Sequence, residues 1–130
     1  MSTSWIVPCN VNYFDIIGVF KRQRLLNYKQ STNVEIGDTV YIYLSLPHQE
    51  IRYRCLVLEV NMPVCYIDDD DFVINGKNYL DCGRFMTLCL EREYENHELP
   101  LNLLINLGIK GVIQSPMKAT DKAITVFLSI

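Results

Sequence analysis

Gly37-Asp38-Thr39-Val40-Tyr41-Ile42-Tyr43-Leu44-Ser45 is the stretch on which the fold turns. Apolar side chains alternate cleanly: Val40, Ile42 and Leu44 take one face of an extended segment, Tyr41 and Tyr43 the other. A Gly-Asp turn after Ile36 launches this strand, and Pro47 and His48 mark the turn that ends it. Ile51 to Val60 then reads as a second long strand, with Tyr53, Cys55 and Val57 on one side and Arg52 and Arg54 starting the other. Two long strands joined by a short polar turn predict an antiparallel pair.

Toward the N-terminus, Trp5 to Cys9 reads as a short strand, with Pro8 near its end because proline cannot donate to a ladder. Asn12 and Asp15 have capping spacing, and Tyr13, Ile16, Ile17 and Phe20 fall on one helical face, predicting an amphipathic helix of about 12 residues. Lys21, Arg22 and Arg24 suit the negative end of its dipole. Asn27 to Asn33 is polar, has neither period, and reads as a loop. Toward the C-terminus come a hairpin signal at Asn75-Gly76 and a strand from Phe85 to Leu90. A short helix follows, with Pro100 at its first position, Leu103, Leu104 and Leu107 on one face, and Gly108 behind it. Ile109–Gln114 and Ala123–Phe127 read as two further strands. This order predicts an α+β fold: a small, strongly bent antiparallel sheet with a few short helices on its outside.

Residues 1–130 fit a single domain, with no repeat, linker or low-complexity segment. Hydrophobic residues at 49% and charged residues at 21% exclude a disordered or coiled-coil chain. The formal charge of -3 argues against a protein that coats nucleic acid indiscriminately, which needs a large excess of Lys and Arg. Residues 1–65 carry six Lys/Arg against five Asp/Glu, whereas residues 66–130 carry six against ten, so charge alone assigns an anion-binding face to the first half. Cys9, Cys55, Cys65, Cys82 and Cys89 are odd in number, lack a Cys-x-x-Cys pair and sit mostly in apolar runs, which predicts free thiols in a reducing, cytoplasmic setting. No apolar run reaches the roughly 20 residues of a membrane span, so no membrane partner is expected.

Asp68 to Asp71 lack the ligand spacing and glycine of a calcium loop, and His48 and His97 have no second ligand at zinc spacing, so neither metal nor cofactor is expected. Gly-rich phosphate loops and nucleophile elbows are absent from the sequence.

Three segments taken in order carry a resemblance: Trp5-Ile6-Val7-Pro8-Cys9-Asn10, Tyr28-Lys29-Gln30-Ser31-Thr32-Asn33, and the Gly37-Asp38 turn into an aromatic strand. They resemble the EVE and YTH-related branch of the PUA-like superfamily, above all the EVE-type domains found alone or in front of HNH nucleases in bacterial restriction systems. The match covers residues 4–61 and extends through Gly83 to Met86 and Gln114 to Pro116. The resemblance implies a PUA-like bent barrel that binds DNA, or less readily RNA, by accepting a flipped, modified base, with a separate nuclease as partner. It implies Cys9 and Asn10 at the pocket mouth, Tyr28 as a stacking face, Lys29, Gln30 and Ser31 as edge contacts, Tyr43 as a second wall, and Arg84 and Lys118 on phosphates. A flipped base requires apolar or aromatic walls and a few fixed donors and acceptors. Tyr28, Tyr41 and Tyr43 also read as ordinary barrel aromatics, and Trp5 reads as core.

A second resemblance, to the small amidohydrolases among the ASCH domains, implies catalysis on modified nucleosides by Lys29, Thr32 and Glu59, since Lys and Thr stand three positions apart with a Glu on a later strand. A third reading is a protein-interaction module.

Overall fold

The computed structural model describes residues 2–12, 14–30, 32–46, 48–62, 84–95, 98–109, 113 and 115–129. The elements run β1 (Ser4–Cys9), α1 (Ile16–Arg22), β2 (Leu25–Gln30), β3 (Thr39–Leu44), β4 (Glu50–Met62), β5 (Arg84–Glu93), α2 (Leu101–Asn106), β6 (Met117–Lys118) and α3 (Asp121–Ser129). One six-stranded sheet, ordered β2-β5-β4-β3-β1-β6, holds all the strands among the described residues.

The alternation that predicts β3 and β4 is realised as an antiparallel pair, Thr39 opposite Leu56 and Val40 opposite Cys55. β5, which contains the expected Phe85–Leu90 strand, pairs antiparallel with β4. β1 corrects the all-antiparallel expectation: it runs parallel to β3, with Trp5 beside Val40 and Cys9 beside Leu44, because α1 and β2 intervene and return the chain in the same direction. The sheet is also not a closed barrel, since among the described residues β2 and β6 are edges without a ladder between them.

Both faces are buried. On one, Val7, Cys9, Val40, Ile42, Leu44, Tyr53, Cys55 and Val57 pack against α1 through Ile16, Val19 and Phe20. Phe20 leans on Tyr53 with ring centroids 4.8 Å apart. On the other, Ile6, Tyr41, Tyr43 and Ile51 meet α2 and α3 through Leu104, Ala123 and Phe127. The alternation of side chains in β3 therefore separates two cores rather than a core from solvent.

Three sequence expectations change. The first helix is shorter than expected: Asp15, not Asn12, is its N-cap, its Oδ1 accepting from Gly18 N at 3.0 Å. The stretch from Asn27 that reads as a loop is strand β2 as far as Gln30, in register with β5 from Thr87 to Arg84. Ala123–Phe127 belongs to a helix, not a strand: Thr120 Oγ1 accepts from Ala123 N at 3.1 Å, capping α3, and Ala123 and Phe127, four apart, are its buried residues. The Asn75-Gly76 hairpin, Asp68–Asp71 and His97 lie outside the described residues, as does most of Ile109–Gln114.

The Gly37-Asp38 turn is a structural hub. Gly37 has φ 92, a conformation that favours glycine, and Asp38 follows it in a buried position. Asp38 Oδ1 accepts from Thr3 N at 2.8 Å, and Oδ2 accepts from Glu35 N at 2.9 Å and Trp5 Nε1 at 3.0 Å. Burial alone would raise its pKa, but these three donors overcome it and hold the carboxyl below its ordinary value. Trp5 is accordingly a core residue tied to the turn.

Candidate functional site

The two ends of the sheet approach each other at a seam. Tyr28, on β2, donates its hydroxyl to the carbonyl of Pro8 on β1 at 2.9 Å, although β5, β4 and β3 stand between these strands in the sheet. The sheet is thus bent far enough for its first strand to be reached from its opposite edge, and a side-chain hydrogen bond stands where a closed barrel would have a ladder. Phe14 meets Tyr28 edge-on with centroids 6.1 Å apart. Cys9 lies fully buried beside them, its Sγ donating to the Phe14 carbonyl at 3.9 Å. Burial pushes the Cys9 thiol up to about 12, opposed in part by its hydrogen bond with Tyr28. Asn10 stands exposed at the rim, its Oδ1 accepting from Asn12 N at 3.0 Å, while the next residue, Val11, donates its backbone N to Ser45 Oγ at 3.4 Å.

The structure therefore brings Cys9, Asn10 and Tyr28 into one neighbourhood, but Tyr28 is a packed wall and not an open stacking face, with only 7% of its surface exposed. Tyr43 is not a second wall. It projects from the opposite face of β3 into the core under α2 and α3, and among the described residues its buried hydroxyl has no partner. The period-two geometry of strands makes this unavoidable, because β3 places Ile42 and Leu44 on the Tyr28 side.

Gln30 continues the Tyr28 face of β2 but spends its amide on the protein. Its Oε1 accepts from Asn61 N at 2.8 Å, and its Nε2 donates to Asn61 Oδ1 at 3.2 Å and to the Thr32 carbonyl at 3.0 Å. Asn61 adopts φ 57 next to a register shift in β4, a left-handed conformation that asparagine tolerates. Its role is missed by hydropathy, and the hint in the sequence is an amide inside the strand run Val60-Asn61-Met62.

Lys29, half-buried, takes the other face of β2 with Asn27, whose Nδ2 donates to Thr87 Oγ1 at 2.8 Å. Glu59 is exposed and in register with Thr87, while Lys29 is in register with Phe85. Lys29 and Glu59 thus flank β5 on either side. Thr32 follows β2. The trio implied by the ASCH resemblance is thus carried by β2, the residues just after it and β4. Lys118 is exposed on β6, its Nζ 5.7 Å from the Trp5 ring centroid. Arg84 begins β5 opposite Gln30, and Ser31 lies outside the described residues. Among the described residues, no group of three or more His, Cys, Asp and Glu is placed to hold a metal ion.

Solved structures share this arrangement. The ASCH domain from Zymomonas mobilis superposes with a TM-score of 0.68 over 98% of this chain and 95% of that one, at 8% identity. The chain has an ASCH-like fold. A protein from Pseudomonas putida gives a TM-score of 0.65 at 15% identity over 97% of each chain. A protein from Leishmania major gives 0.60 at 11% identity over 99% of this chain and 94% of that one. Neither a family model nor a curated protein matches the chain. The α+β class expected from the sequence is present, and the neighbour that carries a domain name is an ASCH domain.

The ASCH-like sheet explains why the seam is the point of interest. Elsewhere the sheet is held by backbone ladders, whereas β1 and β2 meet through a phenol, an aromatic edge and a thiol. No described helix is long and apolar enough to cross a membrane.

Proposed function

We propose that the chain is a nucleic-acid-binding module that admits one base at the seam between β1 and β2, read against Phe14 and Tyr28 with Asn10 at the rim. The observation that carries this reading is the Tyr28–Pro8 hydrogen bond at 2.9 Å, a side-chain bridge between two strands that share no backbone ladder among the described residues. Parting that gap breaks side-chain contacts and no backbone ladder among the described residues, and exposes aromatic and apolar walls of the kind that an unstacked base occupies. The acidic chain supplies little counterion release, so affinity comes from the inserted base, and a modified base in DNA or RNA gives the extra contacts that select it. In the fuller form of the proposal the base is flipped from a duplex, and a separate nuclease of a restriction system acts on the site so marked.

The test is a fluorescence-anisotropy screen of short duplexes and single strands, each with one modified base and each matched to its unmodified control. Preferential binding of one modified oligonucleotide is expected; equal weak binding of all, or none, would reject the reading. The ASCH-like fold keeps a hydrolase in view as the second reading, and release of product from acylated nucleosides, lost in Lys29→Ala, would establish it in place of the first.

A further inference from the structure

Two arginines outside the seam stand in an arrangement that the fold alone does not call for. Arg54 of β4 and Arg92 of β5 are direct register partners in the antiparallel ladder, and Arg54 is in turn opposite Tyr41 of β3. Side chains directly opposite in such a pair start about 5 Å apart, and like charges there repel. A carboxylate at either position would have supplied a cross-strand ion pair.

The compensation within the protein is incomplete. Arg54 Nε is 3.7 Å from Glu91 Oε1, a long contact to a side chain that is 40% exposed. Arg92 stacks over Tyr94, its guanidinium carbon 5.1 Å from the ring centroid. Its Nε is buried, and among the described residues it has no hydrogen-bond partner and Arg92 makes no ion pair. Arg54 also hydrogen-bonds the hydroxyls of Tyr41 and Tyr94, and among the described residues Glu98 lies near enough to act on Tyr94.

The surroundings hold the two guanidiniums in place. Tyr94 donates its hydroxyl to the Phe127 carbonyl in the last turn of α3 at 3.1 Å, and Tyr41 packs against the Phe127 ring at 4.7 Å. Arg54 and Arg92 therefore sit on a rigid base at the margin of the helix-covered face, partly open to solvent. Two adjacent, half-buried guanidiniums on a fixed aromatic support match the charge of a phosphate group.

We propose that Arg54 and Arg92 form a phosphate-binding site on the face of the sheet opposite the seam. The site stands on its own residues. Only the source of the phosphate, a nucleic-acid backbone or a free phosphate ion, rests on the nucleic-acid reading.

The experiment follows the arginine Nε–Hε NMR signals of the full chain, titrated separately with inorganic phosphate and with a short single-stranded oligonucleotide. Binding shifts the Arg54 and Arg92 signals, and Arg92→Gln removes the response of Arg54. If the oligonucleotide is the ligand, Arg92→Gln also lowers the slope of log affinity against log salt by about 0.7, one phosphate contact on a single strand. Shifts with inorganic phosphate but not with the oligonucleotide uphold the site as one for a free phosphate ion and leave the nucleic-acid reading to the seam alone. Oligonucleotide binding, seen by anisotropy, with both arginine signals unmoved by either ligand rejects the site and preserves that reading. Signals unmoved by either ligand also reject the site.

Discussion

Replacing Asp38 by Asn tests the hub that anchors β1 to the turn before β3. The carboxylate accepts three hydrogen bonds, from Thr3 N at 2.8 Å, Glu35 N at 2.9 Å and Trp5 Nε1 at 3.0 Å, and is nearly out of solvent. Asn keeps the size but turns one acceptor oxygen into a donor that faces another donor. Hydrogen bonds to a charged group contribute about 1.5–3 kcal/mol each, so losing one of the three and weakening the others costs about 2–4 kcal/mol at pH 7. The sign of the pH dependence follows from the lowered pKa of Asp38. Its stabilisation is complete above the unfolded carboxyl value of about 3.9 and disappears as pH falls through the lower folded value, so the penalty of Asp38→Asn is full at neutral pH and shrinks in acid. Urea unfolding followed by fluorescence of Trp5, the single tryptophan, measures both quantities at the site itself. A penalty under about 0.5 kcal/mol at pH 7, the range of ordinary surface substitutions, would refute the reasoning. So would a penalty that grows as the solution is acidified.

Tyr28→Phe removes only the hydroxyl that reaches Pro8 and is expected to cost about 1 kcal/mol, whereas Tyr28→Ala opens the core and costs about 3–5 kcal/mol by thermal or urea unfolding. Asn61→Ala is expected to lose about 1–2 kcal/mol, because it combines a missing partner for Gln30 with a left-handed backbone; Asn61→Gly should recover part of this, and equal losses in the two variants would contradict the backbone argument. Thiol labelling of the native protein, read peptide by peptide in a mass spectrometer, should modify half-buried Cys89 before Cys9 and Cys55, both fully buried; fast labelling of Cys9 at pH 8 would contradict a thiol pushed up to about 12.

The legible parts of the fold are those where one face of an element carries its signal. Val40, Ile42 and Leu44 alternate with Tyr41 and Tyr43, and Tyr53, Cys55 and Val57 answer them across the ladder, so β3 and β4 are readable from spacing alone. β2 escapes that reading because its buried positions include Asn27 and Gln30, whose amides are satisfied by Thr87 and Asn61, partners far away in the chain that no local pattern displays. α3 imitates a strand because Ile124, Thr125 and Val126 are β-branched, yet the Thr120 cap and the spacing of Ala123 and Phe127 against the sheet prevail. The parallel partnership of β1 and β3 is equally hidden, since a strand's sequence records burial and not direction.

Of the candidate site, the sequence reaches Cys9, Asn10 and Tyr28 but not what joins them, because the Pro8 carbonyl has no sequence signature and Phe14 reads as one more apolar residue. Tyr43 separates from the group for a reason already contained in the alternation of β3: it shares a face with Tyr41 and hence with α3. Lys29 and Thr32 keep the spacing of the amidohydrolase resemblance, and β5 lies between the strands of Lys29 and Glu59.

The most direct test of base insertion at the seam is photocrosslinking of the full chain to a single-stranded oligonucleotide that carries one 4-thio-substituted base, with the attachment point mapped by mass spectrometry. Crosslinks to Asn10, Phe14 or Tyr28 are the predicted result. A folded protein that binds the oligonucleotide but crosslinks only through residues of α2 or α3, on the opposite side of the sheet, would contradict the account.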